Sequence, residues 1–281
     1  MARRGDQYSI KACEKWLAQG RGRGIRETYK PWVRIGDFSS RGVSTAVPGI
    51  KVKRIHELLS GIETRAFLVA EFNKDVIDIR EQFPLLPLDH VVALAQQVGI
   101  TYPHIRGEPF TLTTDLVITR RVDGVTSYHA VAVKPMADLL KKSIRDKLEL
   151  ERLWWNSLGV EWLLCTENDV SQAVEDNLTW VSQEFRSHEF DYASVNTWAL
   201  TPFIEKLEPR RYLIGDLIVQ IAETILSSPQ EAKIILCKAI WEHYVTVDLE
   251  VSIPNEGIIS ILDWQFDQTD ERGGLDDCLA K

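Results

Sequence analysis

The stretch TTDLVITRRVDGVTSYHAVAVK, residues 113–134, decides how this chain reads. Thr113–Thr119 and His129–Lys134 are strand-like runs, and Val122-Asp123-Gly124-Val125 sits between them. Asp-Gly between alternating apolar segments is the strongest short-range hairpin signal, because the tight turn needs positive φ at both central residues. A two-residue loop at 123–124 fixes the register by arithmetic, since paired positions then sum to 247. Asp115 faces Ala132 across the strands. Lys134 lies diagonally from Asp115 on the same face, about 7–8 Å away. A carboxylate and an ammonium therefore point at one spot from two strands.

An Asp followed by (D/E)-x-K on the next strand is the layout of the PD-(D/E)xK nuclease core. The plainer reading of the same two residues is a solvated ion pair, worth about 0–1 kcal/mol. Position 132 departs from the pattern, which asks for a carboxylate or amide where this chain has Ala132. Glu63 is a third candidate. It opens an amphipathic segment in which Ile62, Ala66, Phe67 and Ala70 repeat at helical spacing. Ser60-Gly61-Ile62-Glu63 also fits the capping box, in which Glu reaches back to a backbone N–H. That gives Glu63 a structural job worth roughly 1 kcal/mol.

Further strings join these three: YKPWVRI (29–35), IDIREQFPLLPLD (77–89), HIRG (104–107), TTDLVIT (113–119), VKP (133–135) and KLELERLWW (147–155). Their order and spacing resemble the TnsA family, the endonuclease subunits of heteromeric cut-and-paste DNA transposases, some of them CRISPR-associated. The resemblance is strong over about residues 15–165, and EQFPLLP is its most distinctive string. It implies a Mg²⁺-dependent endonuclease, with Mn²⁺ as a substitute, that cuts the 5′ strands at transposon ends. A DDE-type transposase subunit cuts and joins the 3′ ends, and an AAA+ ATPase regulator recruits the complex. By the same resemblance Glu63, Asp115 and Lys134 are catalytic, and Glu151 supports the site. Glu63, Asp115 and the backbone carbonyl of Val133 would hold the metal. A Gln often stands in the family where this chain has Ala132, and a water would fill that position. On the plainer reading, Lys147 and Glu151 are an i,i+4 pair on the helix surface.

The expected fold class is α/β: a basic N-terminal arm plus a restriction-endonuclease-like PD-(D/E)xK core over residues 1–169, then a mostly helical, winged-helix-like protein-interaction domain with an acidic tail over 170–281. A helix over 7–19 precedes the core. After the Glu63 helix the elements run strand 75–83, helix 89–98, hairpin 111–134, helix 137–157 and strand 160–165. In the first strand Ile77, Ile79, Glu81 and Phe83 share one parity, and Asp78, Arg80 and Gln82 take the other. Beyond residue 170, helices are expected over 170–185, 199–207, 214–226 and 229–243, with Ser228-Pro229 starting the last. Two β-rich runs, 245–251 and 257–262, follow, and the tail from Asp263 is expected to be partly disordered.

Charge divides the chain more sharply than its net of −8 suggests. Residues 1–56 hold 13 Lys/Arg against 4 Asp/Glu, whereas 170–281 hold 8 against 20. The basic arm suits a phosphate backbone. Gly20–Arg26 reads as a flexible cationic segment, and Arg21, Arg23, Arg26, Lys51, Lys53 and Arg54 are the candidate contacts to double-stranded DNA. The acidic end suits a basic protein surface, and the ATPase regulator is its expected partner. The four cysteines and six histidines show no metal-site spacing. No apolar run approaches the roughly 18 residues that span a bilayer, and no hydrophobic stretch follows the first residues, so a cytoplasmic protein is expected. Two other readings stay open: an assembly subunit that binds DNA ends without cutting, as Ala132 allows, and a stand-alone restriction-type nuclease.

Overall fold

A computed structural model describes residues 10–37, 44–105, 107–186, 191–204 and 206–265. The chain forms two compact units, residues 1–171 and 172–281. The first contains α1 (Ile10–Ala18), β1 (Thr45–Pro48), β2 (Ile55–Leu58), α2 (Gly61–Phe72), β3 (Val76–Pro84) and α3 (Leu88–Gln97). It continues through β4 (His104–Ile105), β5 (Glu108–Pro109), β6 (Thr113–Val122), β7 (Val125–Val133), α4 (Lys142–Ser157) and β8 (Glu161–Cys165).

The Asp-Gly turn closes the hairpin as its chemistry requires. Asp123 and Gly124 both have positive φ, 49° and 78°. β6 and β7 pair from Val122↔Val125 to Leu116↔Val131, the register in which positions sum to 247. β3 joins β6 antiparallel and β8 joins β7 parallel, giving a four-stranded mixed sheet in the order β3-β6-β7-β8. The parallel step needs a crossover, and α4 provides it. Leu150, Trp154 and Trp155 of α4 pack with Val91 and Ala95 of α3 on Val117 and Ala130 of the central strands.

β3 departs from the expected alternation. Asp78, Glu81 and Gln82 are all buried, as is Ile79. The register shifts between Val76 and Asp78, and Gln82 has a left-handed backbone, φ 48°. Regular strands send residues three apart to opposite faces. Here the Arg80 guanidinium lies over the Phe83 ring at 5.2 Å, so the strand turns between them.

The segment read as a flexible cationic arm is a folded loop where it is described. Gly22 N–H bonds the Lys30 carbonyl, and Lys30 N–H bonds that of Arg23. A Cβ on Gly22 would lie 2.4 Å from Pro84 Cγ, so only glycine fits. Trp16 and Trp32 meet edge to face below this loop, 5.4 Å between centroids. Lys51, Lys53 and Arg54, read only as basic, lie in the loop of a β1–β2 hairpin. The helix expected from residue 137 begins at Lys142, after a 3₁₀ turn over Met136–Leu140.

The second unit contains α5 (Gln172–Ser182), α6 (Thr201–Ile204), β9 (Arg211–Leu213), α7 (Ile214–Ile225), α8 (Pro229–Trp241), β10 (Val245–Val247), α9 (Ile253–Glu256) and β11 (Ile258–Trp264). Ser228 caps α8 in a closed capping box with Glu231, and Pro229 occupies the first turn. The helix expected over 199–207 shrinks to the single turn of α6. Between the two β-rich runs lies α9 rather than a plain turn. The short strand β9 completes an antiparallel sheet in the order β10-β11-β9. Most of the tail, from residue 266, lies outside the described residues. The described cysteines, 13, 165 and 237, are free thiols. Among the described residues no helix is long and apolar enough to cross a membrane.

Candidate active site

Where the hairpin strands separate, Asp115 Oδ2 accepts the Val133 N–H at 2.6 Å and the Lys134 ammonium at 2.6 Å. Lys134 Nζ also donates to the Val133 carbonyl at 2.8 Å. The diagonal set by the hairpin register thus becomes a direct contact. Burial alone would lower the Lys134 pKa. The Asp115 charge and hydrogen bond outweigh it, with Glu151 and Glu63 behind them, and the pKa rises. Lys134 is therefore an ammonium at neutral pH, suited to stabilising charge and orienting water.

Asp115 and Lys134 line a cavity of about 240 Å³ together with Gln82, Phe110, Thr113, Lys147 and Glu151, among others. Glu151 is turned inward from α4 and is only 5% exposed. Its Oε1 has no hydrogen-bond partner. Burial, and then the Asp115 charge, raises its pKa to about 8, although Lys134, Thr114 and Trp162 pull it partly back. The surface pair with Lys147 does not form. Lys147 sits instead at the cavity with its ammonium over the Phe110 ring, 5.6 Å away. Burial and the Lys134 charge lower its pKa.

Glu63 is buried at the first turn of α2. Its N–H bonds Ser60 Oγ, the expected cap. Its Oε1 accepts from Ser60 Oγ at 2.9 Å, and its Oε2 accepts the Leu59 N–H at 3.0 Å and Gln82 Nε2 at 3.2 Å. The carboxylate reaches back to Leu59, one residue before the cap. Burial and the Asp115 charge hold its pKa well above the usual carboxylate range. Glu63 does not itself line the cavity, and Gln82 touches both.

The six basic residues expected on DNA separate into two groups. Arg21 is buried, bridging both oxygens of Asp37 and the Trp32 carbonyl. The Arg54 side chain is 8% exposed and forks onto both oxygens of Glu81, which also meets the His56 ring. Burial would raise the Glu81 pKa, but hydrogen bonds from Arg54 and His56 more than offset it and bring it down to about 2. A guanidinium already satisfied by a carboxylate within the fold is not offered to phosphate, so the expectation that Arg21 and Arg54 contact DNA is corrected: both are held inside the fold. Arg23, Arg26 and Lys53 are exposed, and Lys51 is half-buried.

Hard oxygen donors suit a hard divalent cation. Asp115, Glu63 and Glu151 are buried carboxylates, and the Asp115 charge raises the pKa of the other two. One oxygen of Glu151 has no partner. That donor chemistry fits Mg²⁺. Among the described residues, however, no three His, Cys, Asp or Glu side chains gather closely enough to hold a metal ion. Backbone carbonyl and water would have to complete the shell, in keeping with the fully buried alanine at position 132.

Residues 73–167, which include Gln82, Asp115, Lys134 and Glu151 but not Glu63, match the family described as TnsA-like endonuclease N terminal. The chain is a TnsA-type protein. It is 35% identical over 181 residues to the Transposon Tn7 transposition protein TnsA of Escherichia coli. That match spans 64% of this chain and 66% of the relative, just under two thirds of its length.

Proposed function

We propose that this protein is the metal-dependent DNA endonuclease subunit of a transposase, cutting the 5′ strands at transposon ends while a partner transposase cuts and joins the 3′ ends. The observation that carries the reading is the Asp115–Lys134 contact in the wall of a cavity of about 240 Å³ that Glu151 and Lys147 also line, in a chain similar to a transposition protein. Glu63, Asp115 and the Val133 carbonyl would hold Mg²⁺ or Mn²⁺. When bound, the ion supplies Lewis-acid activation of the phosphate and its attacking water.

The chain's own residues do the rest. Lys134 holds Asp115 in place and presents positive charge to the phosphate as negative charge develops. Glu151, with its pKa raised to about 8, is placed to take or hold a proton at the cavity wall. Lys147 adds a cation at the cavity for the scissile or neighbouring phosphate. Arg23, Arg26 and Lys53 are exposed positive groups for the DNA backbone, which they would position without reading sequence. The acidic second unit is assigned to protein contact, with an ATPase regulator as its partner, and not to DNA.

The test is a cleavage assay on a transposon-end duplex in Mg²⁺, Mn²⁺ and chelator, with and without the partner transposase. Metal-dependent 5′-strand cutting that Asp115→Asn abolishes is the expected result. DNA-end binding without any cutting under every condition would instead favour the non-cutting assembly subunit, the second reading that Ala132 supports.

A further inference from the structure

We infer that Gln82 is the positioning residue of this site: its side-chain amide sets Glu63 relative to Asp115 from the flank opposite Ala132. This deepens the nuclease reading and rests on it. Glu81 pairs with Leu116 and Phe83 with Thr114, which puts Gln82 opposite Asp115. On the other side of Asp115 the hairpin register, carried one residue further, puts Ala132. Gln82, Asp115 and Ala132 thus form one row across three strands, with Asp115 at its centre. One flank of that carboxylate carries only a methyl group, and the other carries an amide.

The backbone at Gln82 is shaped for this role. Its φ of 48° lies in the left-handed region, which side chains other than Gly, Asn and Asp occupy at a cost. The residue is buried, 4% exposed. The turn sends its carbonyl out to the Trp32 N–H at 3.1 Å. Its side chain spans two groups of the site. Nε2 donates to Glu63 Oε2 at 3.2 Å, and Oε1 accepts from Thr113 Oγ1 at 3.1 Å. The amide therefore links Glu63 to the strand that carries Asp115. Gln82 also lines the cavity that Glu63 does not reach. A glutamine in a conformation that glycine would adopt freely, with both ends of its amide engaged, has its role in the amide.

Gln82→Gly separates the amide from the backbone. Glycine favours this φ, which offsets part of the cost of deleting the buried amide, so the variant keeps the fold with a modestly lowered melting temperature. Gln82→Asn also tolerates the left-handed region, but its amide is one methylene shorter and cannot span Thr113 and Glu63. Both are made in the full chain and titrated with MgCl₂ by calorimetry, then assayed for 5′-strand cutting with the partner transposase. We expect at least tenfold weaker Mg²⁺ binding and at least tenfold slower cutting for both, in chains that still melt cooperatively well above the assay temperature. Variants that melt, bind Mg²⁺ and cut as wild type does would overturn the inference while leaving the nuclease reading intact. A wild-type chain that neither binds Mg²⁺ nor cuts would overturn both.

Discussion

Lys134 Nζ stands 2.6 Å from Asp115 Oδ2, and the same oxygen accepts the Val133 N–H. One carboxylate oxygen thus ties together the ends of two strands just where their ladder stops at Leu116↔Val131. The contact is both structural and electrostatic, and its two parts separate under mutation.

Asp115→Asn should reduce 5′-strand cutting by more than about 10³-fold while the chain stays folded, the size of effect expected when a central electrostatic group is removed. Asp115→Ala should do the same and also reduce stability by about 1–3 kcal/mol, because the buried Val133 N–H is left unsatisfied. Strand-specific cleavage and urea melts of both variants check this, and wild-type cutting by either would remove Asp115 from the mechanism. Lys134→Ala should likewise stop cutting yet retain Mg²⁺ binding in calorimetry, since an ammonium is no ligand.

Glu63 carries a cap as well as a proposed metal contact. Glu63→Gln keeps an oxygen for the Leu59 N–H and should retain most of the stability, but weaken Mg²⁺ affinity and cutting together. Glu63→Ala keeps the Ser60 cap on its backbone N–H but should additionally cost about 1 kcal/mol, because the Leu59 N–H loses its acceptor. Normal cutting by Glu63→Gln, with only Glu63→Ala unstable, would leave Glu63 as a cap alone.

Stability without metal should fall as pH rises. The Glu151 pKa is raised to about 8 in the folded protein, from an ordinary value of 4.5. Between those values the folded state holds a proton that the unfolded chain has released, so the contribution is complete below pH 4.5 and gone once pH has risen through about 8. Glu63 shifts in the same direction. Glu151→Gln should therefore match wild type near pH 4.5 and be more stable near pH 8, by on the order of a few kcal/mol. Melting curves in chelator at the two pH values measure it, and a pH-independent difference would contradict the assignment.

The basic residues should divide by burial. Arg54→Ala should destabilise the chain by about 3–5 kcal/mol, because Glu81 is left as a buried charge without its guanidinium. Arg21→Ala should cost less, because Asp37 is only half-buried and keeps the Arg34 N–H. Replacing Arg23, Arg26 and Lys53 with Ala should leave stability within about 0.5 kcal/mol. It should flatten the salt dependence of DNA binding by about 0.9 in log–log slope for each phosphate no longer neutralised. Thermal melts and salt titrations distinguish the groups, and an unchanged slope in the triple variant would rule out this loop as a DNA-binding element.

The sequence alone determined the centre of this protein, because the interactions there are local or periodic. An Asp-Gly turn has one preferred geometry, the side-chain period of a strand is two, and together they set the Asp115–Lys134 diagonal. The Ser60 and Ser228 caps were legible for the same reason, each joining residues three apart. What pairs across the chain was not legible. Arg21 with Asp37, and Arg54 with Glu81, read as free charge because a sequence shows sign but not burial. Lys147 and Glu151 share helical spacing, yet packing of α4 on the sheet turned the carboxylate inward and left the ammonium over Phe110. Gln82 gave no local signal, since glutamine has no preference for a left-handed backbone. Only the pairing of β3 with β6 and the packing of α2 beside them place its amide between Glu63 and Thr113, on the strand that carries Asp115, and that is a decision of tertiary structure.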